Sequence, residues 1–399
     1  MIFSKNKLIY YFVGIDLLVV LTEVKIYFPI FNIIFIVLLT PLVFSTLKWN
    51  KLLKSKSFVL FFLCYSILLF FSLIGHGPSI YEYLYRFTRL IPLFLAGVIV
   101  SDKIKSINGV ILFAVVGLFF GGISLFLQGD QFILRNVMTD VSDYLRSPYR
   151  YVPPIFVSVL ALYLIRDTKI RYLKNLIIFF SVFNIITVVR SGFTTPIVIL
   201  FICGIAYLFR IFSNIRSGFL KNLPKIITSI IVICVSFLGI TTFLSDSVIS
   251  IRFTDLFNLL FIADNTVDLN NTSGNRIDLL SRSLDTFIEN PFIGIGAESL
   301  SGIETRVGSH SSIFDLLAQF GIFGFVFILM FLSWILIAYK LSFKFDSHTN
   351  LNIALFCVWV GYFLGCIANP YFLSAAIDHY IFVFAGITVG LNYKYNYGS

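Results

Sequence analysis

The chain has 399 residues, 58% hydrophobic and 13% charged, with a mean hydropathy of +0.94 and a net charge of +10. An ordinary soluble domain carries roughly 25% charged residues, so this composition excludes a soluble enzyme. Apolar runs recur from Leu8 to Leu391, and the expectation is one continuous membrane domain over residues 1–399 instead of two or three soluble domains.

A membrane helix needs about 20 apolar residues to cross a hydrocarbon core of about 30 Å. On that measure the sequence predicts an all-α polytopic membrane protein with about twelve transmembrane helices, near residues 8–22, 28–47, 57–74, 87–101, 108–127, 152–166, 172–189, 194–212, 225–244, 318–339, 351–369 and 378–392. Lys5 and Lys7 precede the first span without a small-residue cleavage site, so that span reads as a retained signal anchor. Asp16 falls inside it and is expected to pair with a buried polar group, with no functional role assigned. Cys64, Cys203, Cys234, Cys357 and Cys366 lie singly in apolar runs and read as small core residues, not disulfides or metal ligands.

The charges between spans set an orientation. Alternate connections hold nineteen of the thirty basic residues, fifteen of them Lys, which places both termini in the cytoplasm by the excess of positive charge in cytoplasmic loops. The opposite face holds Lys25 and ten arginines: Arg86, Arg89, Arg135, Arg146, Arg150, Arg190, Arg252, Arg276, Arg282 and Arg306. Lys suffices for a topology signal, whereas the planar fork of Arg matches phosphate and carboxylate. The outer face is therefore expected to hold an anion.

Along the chain, Arg86 and Arg89 stand one turn apart at the expected start of the fourth span. Arg190 closes the seventh, before Ser191-Gly192, where an unpaired cation is costly and so points to function. The connection 128–150 is long, and 245–317 is long enough for a small external helical subdomain. Within it Ile277, Leu280, Leu284, Phe287 and Ile288 recur at helical spacing, with Ser273 or Asn275 able to cap the start and Asn290-Pro291 to stop the helix. Arg282 most simply pairs with Asp278 at i and i+4. Arg276 sits in the first turn, where a cation opposes the helix dipole and a bound anion would relieve the conflict.

After Asn290-Pro-Phe-Ile-Gly-Ile-Gly-Ala-Glu298 the chain passes Arg306 and His310 and opens a new helix near Ser312, with Asp315 giving a capping-box-like pair. The positive end of that helix and the nearby arginines favour a neutral His310, which can accept a proton. His76, His348 and His379 lack such a setting and read as ordinary interface residues.

The external Arg190-Ser-Gly, the Arg276-led helix running into Asn-Pro-x-x-Gly-x-Gly, and Ser-His310-Ser-Ser followed by Leu-Leu-Ala-x-Phe-Gly-x-x-Gly resemble the O-antigen polymerase and ligase superfamily, bacterial inner-membrane enzymes with class C glycosyltransferase-like architecture. The resemblance implies metal-independent transfer, with no cofactor, of a glycan from undecaprenyl diphosphate to an acceptor hydroxyl on the periplasmic face. Carried over position by position, Arg190 and Arg276 would bind the diphosphate and His310 would be the general base. Arg86, Arg89, Arg282, Arg306 and Glu298 complete the candidate diphosphate and glycan set. Ligases commonly place Asn after the His and many members place an aromatic early in the Arg-led helix, whereas this chain has Ser311, Leu279 and Leu280. The His-Ser pattern resembles repeat-unit polymerases making O-antigen or capsule, with a chain-length regulator and a flippase as implied partners and none in nucleic acid. A ligase acting on lipid A core is the first alternative, and a flippase, which has no use for an external base, is the second.

Overall fold

The computed structural model describes residues 5–21, 30–47, 49–77, 79–127, 148–190, 194–213, 274–296, 311–343, 349–369, 371–372 and 377–397. Among these residues the secondary structure is helical, without strands. Up to residue 213 the chain forms α1 (Lys5–Leu21), α2 (Ile30–Thr46), α3 (Lys56–Leu73), α4 (Ile80–Val100), α5 (Ile104–Leu127), α6 (Val152–Asp167), α7 (Arg171–Arg190) and α8 (Thr194–Ser213). Then come α9 (Gly274–Glu289), α10 (Ser312–Phe320), a 3-10 turn at Gly321–Phe323, α11 (Gly324–Ser342), α12 (Thr349–Ala368) and α13 (Asp378–Tyr397). Six helical stretches are long and apolar enough to cross a membrane, and α2 and α8 add shorter apolar segments. The described chain is thus an all-helical, polytopic membrane bundle.

Eleven of the expected spans coincide with these helices, and 225–244 lies outside the described residues. Two boundaries differ most. The fourth helix begins at Ile80, not 87, because Glu82 and Arg86 lower the local hydropathy of a turn that is helical nonetheless. The span expected at 318–339 is broken at Gly321, whose φ of 58° ends α10 before α11 starts at Gly324.

The hydrogen bonds define two ends of the bundle. At one end Asn108 of α5 donates to Asp167 at the close of α6 (2.8 Å) and accepts from Tyr163 (2.6 Å), and Lys394 of α13 reaches the Asp102 carbonyl that follows α4 (3.2 Å). The opposite end therefore carries the α3–α4 connection, the last residue of α7 and the starts of α11 and α13.

Lipid tails are as apolar as leucine, so helices in a bilayer associate through close packing and hydrogen bonds. The α4–α13 pair shows this most plainly. A Cβ at Gly386 would collide with the Phe94 carbonyl oxygen, and one at Gly97 with the Val383 carbonyl oxygen, so both glycines let the two backbones touch. Aromatic rings fill the space around that seam: Phe61 stacks on Phe94 at 3.9 Å, and Trp334 lies 5.0 Å from Trp359, whose Nε1 donates to Thr388 Oγ1 at 3.0 Å. The four described cysteines are buried, as small core residues should be.

Candidate functional site

Helix α9 and the chain around α10 occupy the end of the bundle that carries the α3–α4 connection. The amphipathic helix expected from residue 277 onward is present, but its most enclosed described residue is polar. Ser283 is 1% exposed, whereas Leu284 and Ile288 of the apolar stripe are 42% and 64% exposed to what the described residues leave open. The reason is Asp315 on α10. Its Oδ1 accepts from Ser283 Oγ at 3.0 Å and its Oδ2 accepts from the backbone N–H of Ser311 at 3.2 Å, so one buried carboxylate joins α9 to the start of α10.

That start is fixed on its other side as well. Ser311 is the N-cap, with extended backbone (φ −154°, ψ 121°), and its Oγ accepts from Phe314 N at 3.3 Å. The same hydroxyl donates to the Cys366 carbonyl on α12 at 3.2 Å. Ser312 donates to the Asn369 carbonyl through both its backbone N–H (3.1 Å) and its Oγ (3.2 Å), and its Oγ accepts from Phe372 N at 2.9 Å. The Ser-Ser that follows His310 is therefore a tether: two small hydroxyls satisfy exposed backbone groups of two helix ends at once.

The Asn-Pro-x-x-Gly-x-Gly stretch closes the far end of α10. Ile295 N donates to Ala318 O and Gly296 N to Gln319 O, both at 3.0 Å, while Ile322 N donates to Pro291 O at 2.7 Å. The first two bonds take up carbonyls that the α10 C-terminus would leave unpaired, and the third fastens the 3-10 turn back onto the return. Gly294 and Gly296 have φ of 74° and 91°, and a Cβ at Gly294 would sit 2.5 Å from the Ala318 carbonyl oxygen, so the geometry requires glycine there. A Cβ at Gly296 would stand 3.0 Å from the His76 carbonyl oxygen, which puts the return directly against the α3–α4 connection.

The candidate residues distribute unevenly over this frame. Arg190 is the last residue of α7, at the same end of the bundle, and Arg276 lies in the first turn of α9, seven residues and thus about 10 Å along the helix from Ser283. Arg282 is exposed on α9. Arg86 forms an ion pair with Glu82 one turn earlier on α4 and is occupied locally. Arg89 holds its guanidinium 5.7 Å from the Tyr85 ring centre, and its Nε is buried without a hydrogen-bond partner. His310, Arg306 and Glu298 lie outside the described residues, as do Arg135, Arg146 and Arg252.

Two features escaped the sequence reading. One is the Ser283–Asp315 link. The other is a fully enclosed pair, His379 Nδ1 and Asp16 Oδ2 at 3.1 Å, which joins α13 to α1. His379 is thus a core residue with a carboxylate partner, not a residue of the interface, and Asp16 has the buried partner that an acid inside a span needs. The signal available was topological: both residues fall near the same end of their spans.

Residues 176–329 match a protein-family model described as O-antigen ligase. The matched stretch runs from within α7 to within α11 and so takes in Arg190, Arg276, His310 and both α9 and α10, while the α12 end of the Ser311-Ser312 tether lies beyond it. Among curated proteins none matches the chain.

Proposed function

We propose that this chain, whose residues 176–329 match the O-antigen ligase family model, is a member of the O-antigen polymerase and ligase superfamily that polymerises O-antigen or capsular repeat units by moving an undecaprenyl-diphosphate-linked glycan onto the next lipid-linked unit. The observation that carries the reading is the tethered frame inside the matched domain. One carboxylate fixes the helix bearing Arg276 to Ser311, the residue next to His310. Such a frame is what a two-part site needs, because misplacement by 1 Å can cost about a hundredfold in rate.

In this reading the acceptor hydroxyl oxygen attacks the anomeric carbon of the donor sugar. Its proton passes to His310, and the bond from the anomeric carbon to the diphosphate oxygen breaks with its electron pair on the diphosphate. Arg190 and Arg276 stabilise the charge that gathers on that leaving group, aided by the α9 N-terminus. No step calls for a metal or cofactor. In the same reading the fold is class C glycosyltransferase-like with twelve crossings in the inner membrane, both termini are cytoplasmic, and 245–317 is the large external subdomain. A chain-length regulator and a flippase are its working partners. The matched model's own description favours one second reading, a ligase that delivers finished polymer to lipid A core.

The test is complementation of a deletion strain with Arg190→Ala, Arg276→Ala and His310→Ala, with membrane levels measured alongside surface polysaccharide. The polymerase reading expects a single repeat on lipid A core in place of the ladder, at normal protein level. Full-length polymer retained on the lipid carrier would instead establish the ligase, and a normal ladder from His310→Ala would remove that residue from the chemistry.

A further inference from the structure

Helices α2, α3 and α4 enclose a lateral cavity of about 500 Å³ that the proposed chemistry leaves unused. Val37 and Phe44 line it from α2, Phe62 and Tyr65 from α3, and Tyr85 and Arg89 from α4. Its wall is apolar and open on the outer side of the bundle, where Val37 and Tyr85 are 62% and 59% exposed. All three helices are apolar and α3 and α4 are long enough to cross a membrane, so the opening, taken among the described residues, is placed to receive a hydrocarbon chain. From Val37 to Phe44 the wall follows α2 for seven residues, about 10 Å along the bilayer normal, the direction in which a lipid chain lies.

Arg89 is the exception in that wall. It stands nine residues into α4, about 13 Å along the helix from its start at Ile80, well inside the span. A guanidinium there costs several kcal/mol unless it is paired or reaches the interface. The side chain lies against Tyr85, one turn closer to the site end, so it is directed toward the interface. Yet its Nε–H is buried with no acceptor. Arg86, one turn away, already has Glu82. A donor of this kind, above an apolar groove that opens into the bilayer, fits one ligand chemistry: a phosphate oxygen on a hydrocarbon chain.

We infer that the α2–α3–α4 groove seats the isoprenoid chain of the lipid diphosphate substrate, with Arg89 meeting its phosphate, and so serves as a lateral docking site through which that lipid approaches the reaction centre. This rests on the glycan-transfer reading for the identity of the lipid. The route has a structural basis, since α3 and α4 lead directly to the 74–79 connection, whose His76 carbonyl packs against Gly296 in the return that closes α10. A phosphate held at Arg89 therefore leaves the rest of the head group directed along α4 toward the end of the bundle that carries the frame. An ordinary phospholipid offers the same phosphate but would not depend on the groove for a long chain, and the experiment separates the two.

The full-length protein is purified in detergent and offered undecaprenyl diphosphate and palmitoyl-oleoyl-phosphatidylglycerol in separate titrations followed by native mass spectrometry. Arg89→Ala removes the phosphate donor, Val37→Trp fills the groove, and thermal melting in the same detergent confirms that each variant is folded. The expected result is a loss of undecaprenyl diphosphate affinity of about tenfold or more in Arg89→Ala and a comparable loss in Val37→Trp, with phosphatidylglycerol binding unchanged. If both folded variants bind undecaprenyl diphosphate like the parent, the site is elsewhere and the inference is overturned. It is equally overturned if the two lipids lose affinity in parallel, because the groove is then a general phospholipid seat. The readout is binding alone, so a failed complementation test would remove the glycan-transfer reading without touching this result, and the converse holds as well.

Discussion

The α4–α13 seam and the α9–α10 frame solve the same problem, holding two helices in register, by opposite means. At the seam Gly97 and Gly386 bring backbone against backbone. At the frame one carboxylate, Asp315, does the joining, accepting from Ser283 on α9 and from the backbone of Ser311 at the start of α10. Packing contact suits a part that must never move, since its strength is spread over many atoms and any intrusion is costly. A point attachment suits a part that must be placed, because direction resides in a few hydrogen bonds that can be adjusted singly. The seam belongs to the transmembrane scaffold, and the frame lies in the matched domain with Arg190 and Arg276.

The sharpest way to break the contrast is to give the seam a side chain. Gly386→Leu forces a branched side chain onto the Phe94 carbonyl, a backbone atom that cannot rotate aside. Overpacking in a core costs about 1–3 kcal/mol and more where backbone must shift, so this variant is expected to yield little monodisperse protein on size exclusion after detergent extraction. A well-folded Gly386→Leu protein with normal melting would mean that the seam tolerates separation and is not the rigid member of the pair.

A smaller effect on folding but a large one on activity is expected from Asp315→Ala. The change leaves Ser283 Oγ and Ser311 N without their acceptor in a buried place, a stability loss of about 1–3 kcal/mol. On the proposed polymerase reading, repeat-unit transfer should fall about a hundredfold, because α9 and the start of α10 lose their shared anchor. Asp315→Asn keeps one acceptor oxygen and should recover part of the activity. The measurement is in vitro polymer formation against thermal melting, and a loss of activity no larger than the loss of folded protein would make Asp315 a packing residue only.

How much of this was readable beforehand follows the same division. The seam's helices were legible as apolar runs, but not its glycines, since nothing local separates Gly97 from any other small residue in a span. The start of α4 was misplaced because Glu82 and Arg86 form an ion pair along the helix and so carry polarity into a turn that remains helical. In the frame, α9 and the onset of α10 were legible from spacing, the Asn-Pro stop and the expected Ser312–Asp315 pair, although the cap itself falls one residue earlier, at Ser311, whose backbone N–H donates to Asp315. The link between them was not, because Ser283 lies among charged neighbours and reads as a solvent-facing residue until α10 is placed beside it. The same holds for Asp16 and His379, 363 residues apart, which only the folded topology brings together.

Ser283→Ala offers the finest test, since it removes one bond of the frame and keeps the rest. Asp315 retains its bond to Ser311 N, and the Ser311 and Ser312 bonds to α12 are untouched. A hydrogen bond to a charged group contributes about 1.5–3 kcal/mol, but the carboxylate keeps one partner, so the stability loss should lie near the lower figure. Activity should fall by about fivefold to tenfold, chiefly as a lower turnover with the donor's half-saturating concentration little changed, because α9 still forms but is less firmly placed. Ser283→Thr keeps the hydroxyl and should restore much of the rate where its added methyl is accommodated. If Ser283→Ala instead raises the half-saturating concentration and leaves turnover alone, Ser283 serves to hold Arg276 on the donor, and α9 is then a binding element that the chemistry at the start of α10 does not depend on.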